Sequence, residues 1–317
     1  NKTYNKNIEP HIKEIIITDD NRLIFIGESN KIYFTDLNNS DLMSSEFTSI
    51  SLDDNIKTIS EIDSDLIFAG LNNGELWYLS LNSNEKVKIY PKKRSKNKFQ
   101  VNSIVTVKNQ IFFGNNNELL SYNPVTKKLN EILIEEIKND IITDLIYDNK
   151  ETLFFVTEKG NIFDYNIVNN RHSLLLESYD NELFSKKDKV TKLVLFGDKL
   201  IFSTIDGWIY IFYRNLKSKQ IIFEQRILAH DTEIKSILYD KENSKLVSSA
   251  NDGSLCIFSL DNLASLGERR IDLDFGIKNK INDIGIIKDN SKNLIVLADN
   301  SGNLSLIDLD LKNIFEK

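Results

Sequence analysis

A block of about 28 residues returns seven times along this chain of 317 residues, beginning near Ile12, Ile56, Val101, Ile142, Val190, Ile234 and Ile281. The intervals are 44, 45, 41, 48, 44 and 47 residues. One such unit cannot bury its own apolar face, so successive copies must stack, and an array of short strands has to close or be capped. This constraint carries one architecture across a length that would otherwise suggest two domains.

Each copy has the same grammar, clearest in IKSILYDKENSKLVSSANDGSLCIFSLDN from 234 to 262. An apolar strand (234–239) leads through a polar turn to a second strand (245–250), and a tight Asn-Asp-Gly turn leads to a third (254–260). The turn glycine recurs at Gly74, Gly160, Gly207 and Gly302, where a short hairpin requires positive φ. Asn30 and Asn117 take its place in copies 1 and 3 and are expected to adopt the same conformation. A fourth, more variable strand is expected at 47–52, 86–90, 129–134, 173–178, 221–228 and 269–274, which makes six for seven copies. The seventh is expected from the N-terminus, with Thr3 to Ile8 pairing with the last copy's third strand and removing an open edge. The expected fold is therefore all-β: one domain over 1–317, a closed seven-bladed β-propeller of four-stranded antiparallel blades with an N-terminal clasp. A chain that opens without Met is expected to be a processed form or a module of a longer protein.

Apolar residues make up 41% of the chain and charged residues 27%, enough for a large core and a solvated surface. Ile, Leu, Phe and Tyr alternating with polar residues favour strands. Cys256 has no cysteine to pair with, no apolar run reaches bilayer length, and the opening residues are not a signal sequence. An intracellular location, cytoplasmic or nuclear, is the expectation.

Copy 6 resembles the WD-repeat (WD40) β-propellers. His230 precedes the first strand at the place of that family's Gly-His, Asp252-Gly253 occupies the turn, and Phe258 stands at the Trp position. The resemblance implies a structural hydrogen-bonded set of His230, Asp252 and a hydroxyl from Ser248 or Ser249, with Phe258 unable to donate as Trp would. In the other copies the Trp position reads Thr35, Leu79, Tyr122, Tyr165, Phe212 and Ile307. Other propeller families, quinoprotein-like ones included, share the outline of GELWYLSLN.

The motifs of catalysis are missing. His11, His172 and His230 fall on three copies, no Cys–His pair has catalytic spacing, and Cys256 reads as a small buried hydrophobe. DNSGN at 299–303 lacks the Glu of a calcium loop and reads as a hairpin turn, while phosphate-cradling glycine motifs are absent. First-strand positions Glu14, Thr58, Ser103, Asp144, Lys192, Ser236 and Asp283 are expected to line the propeller axis. Their three carboxylates are the one arrangement that would suit an enzyme using the central channel. Neither a cofactor nor a metal is expected.

Charge offers a recognition feature. The chain is net −7, yet Lys92, Lys93, Arg94, Lys96 and Lys98 cluster between copies 2 and 3. Lys186, Lys187, Lys189 and Lys192 follow between copies 4 and 5, with Lys278 and Lys280 between copies 6 and 7. The intervening connections are acidic, through Asp53 and Asp54, Glu135, Glu136 and Asp140, and Asp231 and Glu233. In a propeller these connections share the top face, so its charge is expected to alternate. Alternation suits a protein partner better than a phosphate backbone. The expected function is a non-enzymatic interaction scaffold, a monomeric module within a complex that binds through these loops, with polyanion binding (nucleic acid or phosphoinositide) as the alternative. Partner identity and pathway are not encoded in these features.

Overall fold

In the computed structural model the described residues are 3–37, 46–90, 100–108, 110–177, 189–215, 220–260, 270–273, 279–289 and 292–308. Their strands form seven four-stranded antiparallel sheets, each running in chain order from an inner to an outer strand, except that one strand of the seventh comes from the N-terminus. This is the seven-bladed β-propeller that the repeat predicts. Blade 6 shows the pattern: Ile234–Asp240, Lys245–Ala250, Leu255–Ser259 and Arg270–Leu273. The expected fourth strands are present, Lys86–Tyr90 with the expected bounds and the others shifted by one or two residues, for example Lys128–Ile132 and Arg171–Leu176. A single 3-10 turn, Glu135–Ile137, is the only helical element among the described residues.

The clasp forms. Thr3–Asn7 pairs antiparallel with Asn303–Asp308, Thr3 opposite Ile307 and Asn7 opposite Asn303. The chain then passes tightly over the blade 7 turn, where Ile8 N–H donates to Gly302 O at 3.1 Å. Gly302 has φ +80°, and a Cβ there would lie 1.4 Å from Glu9 O, so both conformation and space demand glycine.

By contacts the chain divides into two compact units, residues 1–56 with 227–317, and residues 57–226. Within each, the core lies between consecutive blades. Phe112, Leu119, Leu145, Phe155 and Phe163 join blades 3 and 4, and Val190, Phe202, Tyr210 and Phe212 join blade 5 to Phe154 and Val156 of blade 4. In the first unit Ile12, Phe25, Ile287 and Val296 join blades 7 and 1. The second strands, such as Gln110–Asn115 and Thr152–Thr157, are buried along nearly their whole length because a neighbouring blade covers each face, so they read as continuous apolar runs. Each large side chain buried there contributes about 1.5–3 kcal/mol.

Two turn expectations are corrected. Gly74, Gly160, Gly207, Gly253 and Gly302 do sit at positive φ, but Asn30 and Asn117 do not; in blade 3 that conformation falls on Asn116 at φ 53°. Asn30 and Asn117 instead donate their side-chain amides to Leu52 O at 2.7 Å and Lys138 O at 2.6 Å. Each ties its turn to the connection leaving the same blade.

Candidate protein-interaction face

One hydrogen-bonding pattern brings the blade-entering connections beside the turns between second and third strands. The first residue beyond the second strand donates its N–H to the residue just before the first: Glu158 to Ile141 at 2.7 Å, Ile205 to Lys189 at 3.0 Å, Asn251 to Glu233 at 3.1 Å and Asn300 to Lys280 at 3.0 Å. Further bonds reach the preceding blade, Ile142 N–H to Asn116 O at 2.7 Å and Ile12 N–H to Asp299 O at 3.2 Å. Within each unit, variable loops are thus held on one edge of a rigid frame, the arrangement in which recognition residues concentrate.

Within each unit the charged residues of these connections and turns are partly engaged with one another. Lys189 pairs with Glu158 at 3.0 Å, Lys235 with Glu233 at 2.8 Å, and Lys138 with Glu135. Asp231 and Glu136 are exposed, whereas Asp140, expected as a surface acid, is buried and accepts the N–H groups of Ile141 and Lys159. Lys92, Lys93, Arg94, Lys96, Lys98, Lys186, Lys187 and Lys278 lie outside the described residues. His11 is exposed, and His172 sits on an outer strand 3.3 Å from Glu136.

A register shift recurs near the start of the first strand in blades 3 to 7, before Ser103, Asp144, Lys192, Ser236 and Asp283. A bulge re-aims the side chains that follow it, and these are the positions expected to line the axis. Ser103, Asp144 and Asp283 join blades. Ser103 Oγ accepts Leu145 N–H at 3.1 Å, Asp144 Oδ2 accepts Leu193 N–H at 2.8 Å, and Asp283 Oδ2 accepts Ile15 N–H at 2.8 Å. The other oxygens are occupied too: Asp144 Oδ1 accepts the Ser103 hydroxyl at 3.4 Å and Asp283 Oδ1 accepts Ile284 N–H at 2.9 Å. Burial raises the Asp144 carboxyl above the ordinary aspartate range, against the opposing effects of Lys192 and these hydrogen bonds. No three His, Cys, Asp or Glu side chains converge on a metal-sized site among the described residues.

Blade 6 carries a buried polar network. His230 Nε2 lies 2.8 Å from Ser248 Oγ and Nδ1 lies 2.8 Å from Ser254 Oγ, while the Ser254 hydroxyl donates to Asp252 at 2.6 Å. Because Ser254 gives its proton to the carboxylate, its oxygen accepts from Nδ1–H, and Nε2 bonds the Ser248 hydroxyl. Ser248, not Ser249, is the hydroxyl member, and Ser254 is inserted between His230 and Asp252 in a way the sequence reading missed. Phe258 is fully buried. Burial alone would raise the Asp252 carboxyl, but the two Ser254 hydrogen bonds and His230 outweigh it and hold it below the usual range.

Spacing gave no Cys–His pair, yet Cys256 Sγ lies 3.8 Å from His230 Nδ1. Strand pairing brings together residues that sequence distance separates. Both side chains are buried, and the thiol donates to Ala229 O at 3.0 Å, which is the environment of a packed cysteine and not of an accessible nucleophile.

The structure also reveals a groove of about 580 Å³ between the outer strands of blades 3 and 4, lined by Phe112, Ile132, Leu133, Tyr165, Asn170 and His172 among others. Its residues come from two copies of the repeat, so no local motif announces it.

No protein-family model and no curated protein matches the chain. The fold is similar to that of the computationally designed Ika8 protein in its crystal structure, with a TM-score of 0.68 over 96% of this chain and 98% of that one, at 13% sequence identity. The likeness is one of fold alone. No helix among the described residues is long and apolar enough to cross a membrane.

Proposed function

We propose that this chain is a non-enzymatic protein-interaction scaffold, a divergent WD-repeat-type propeller that recognises its partner through the loops entering each blade and the turns beside them. The observation that carries this reading is the repeated backbone hydrogen bond between turn and connection, seen from Glu158–Ile141 to Asn300–Lys280, which fixes variable loops on a rigid edge. Mixed charge at Lys189, Glu158, Asp231 and Glu233 favours a protein surface over a uniform polyanion. The non-enzymatic reading is supported by Asp144 and Asp283, whose oxygens are committed to hydrogen bonds, and by the burial of His230 and Cys256. The His230–Ser248 bond and the Ser254–Asp252 link support the WD-repeat likeness.

Affinity capture with the full chain and two variants tests it. Glu158→Lys with Asp231→Lys changes the loop edge, and Val125→Lys with Val168→Lys changes the exposed hairpins between third and fourth strands. A partner lost only with the first variant is the expected result. Loss only with the second would move recognition to another surface.

A further inference from the structure

The groove between blades 3 and 4 lies wholly within the second compact unit, and the loop-edge function makes no use of it. Its walls are two cross-strand rows. On blade 3 Phe112 stands opposite Ser121 and Ser121 opposite Asn130; on blade 4 Tyr165 stands opposite His172. Phe112 and Tyr165 meet at the floor with ring centroids 6.1 Å apart, and both are buried. Ile132, Ile167 and Leu133 add apolar surface, and Leu133 is 73% exposed.

The polar groups set among these apolar ones balance donors against acceptors. The Tyr165 hydroxyl donates to Asn170 Oδ1 at 2.7 Å, which fixes that amide and leaves its N–H groups as donors. His172 Nε2–H faces Glu136 Oε2 at 3.3 Å, which leaves Nδ1 of the neutral ring as an acceptor. Gln110 and Asn130 each offer a carboxamide, and Ser121 a hydroxyl. Glu131 also borders the groove, but alternation between Asn130 and Ile132 turns its carboxylate to the other face, where it lies near enough to Glu118 to raise that carboxyl together with burial.

We propose that this groove binds a neutral polyhydroxylated ligand, a saccharide of about one or two rings, with its C–H face on Ile132, Leu133 and Ile167 and its hydroxyls on the amides and Ser121. A carboxamide presents N–H and C=O side by side, and a sugar hydroxyl both donates and accepts, so neighbouring hydroxyls satisfy both ends of each amide. An anion would meet only His172, whose ring Glu136 already engages, and a cation would meet no carboxylate aimed into the groove. A peptide is the poorer fit, because the rows run across the strands and offer side chains where main-chain recognition needs a sheet edge. The volume of about 580 Å³ falls within the range of small-molecule sites. The inference is independent of the loop-edge function.

Saturation-transfer NMR of the full chain tests it, with glucose, galactose, mannose, N-acetylglucosamine and their disaccharides as probes. Glucuronic acid, glucosamine and trialanine amide supply the anionic, cationic and peptide comparisons. At least one neutral sugar is expected to bind with a Kd of about 0.1–10 mM, unchanged between about 20 mM and about 500 mM salt. Asn130→Leu and Asn170→Leu, both outside the buried core, are each expected to weaken it at least about threefold, with circular dichroism checking that they fold. Glu158→Lys with Asp231→Lys, which changes the loop edge, is expected to leave it intact. Failure of every neutral sugar to bind, binding that survives both asparagine variants, or preference for glucuronic acid, glucosamine or the peptide amide would each overturn the proposal.

Discussion

Asp144 of blade 4 accepts the backbone N–H of Leu193 of blade 5 at 2.8 Å, and burial holds its carboxyl above the ordinary range. A carboxyl whose folded pKa is raised favours the folded state below the unfolded value, and that contribution is lost as pH rises through the folded value. Wild type should therefore lose stability relative to Asp144→Asn as pH climbs from about 4, with the difference levelling off above the raised pKa. Urea denaturation of both proteins from about pH 3 to pH 8 measures this; a difference independent of pH would mean that the carboxyl titrates alike in both states.

His230 and Ser248 share a fully buried hydrogen bond at 2.8 Å. Ser248→Ala removes the hydroxyl bonded to Nε2, at a cost of about 1–3 kcal/mol. His230→Ala adds a cavity beside Cys256 and removes the bond to the buried Ser248 hydroxyl, for about 2–5 kcal/mol. Urea midpoints at neutral pH give the order, and the histidine variant should be the less stable.

How much of this was legible in sequence follows from the distance over which each interaction acts. Strand grammar, turn glycines and the Thr3–Asn7 clasp depend on local pattern and on a count of fourth strands, so they were readable. Asn30 misled because its amide reaches Leu52 across a blade, and Asp140 because a residue in a connection can still be buried. Asp144 and Asp283 were placed correctly on their strands, but their partners, Leu193 and Ile15, lie in the next blade. The Cys256–His230 contact and the groove beside Tyr165 likewise depend on pairing between distant segments. The basic positions 92–98 remain a feature of sequence alone.

The clasp should be sensitive at its tightest point. Gly302→Ala places a methyl group against Glu9 O while forcing φ +80° on alanine, and should cost at least about 2 kcal/mol. Deleting residues 1–9 exposes Asn303–Asp308 as an edge and should lower the melting temperature and promote aggregation. Light scattering during a thermal ramp reports both effects, and a deletion that melts like wild type would show that the clasp contributes no stability.

Arg214 of blade 5 lies 3.6 Å from Asp148 of blade 4, with both side chains about nine-tenths buried, 4.8 Å over the Phe154 ring and 3.1 Å from Gly197 O. The two ends of this pair are not equally supported. Asp148 also accepts the N–H groups of Lys150, Glu151 and Thr152 at 2.9–3.1 Å, whereas Arg214 Nε has no partner among the described residues. Arg214→Met keeps much of the packing on Phe154 and leaves a carboxylate still held by three donors, so it should cost about 1–2 kcal/mol. Asp148→Ala frees three backbone donors and strands a buried cation, and should cost about 3–5 kcal/mol. The double variant should be less destabilised than the two single costs added, because the stranded charge is gone; urea denaturation of all four proteins measures that coupling, and strict additivity would mean that the pair carries no interaction energy.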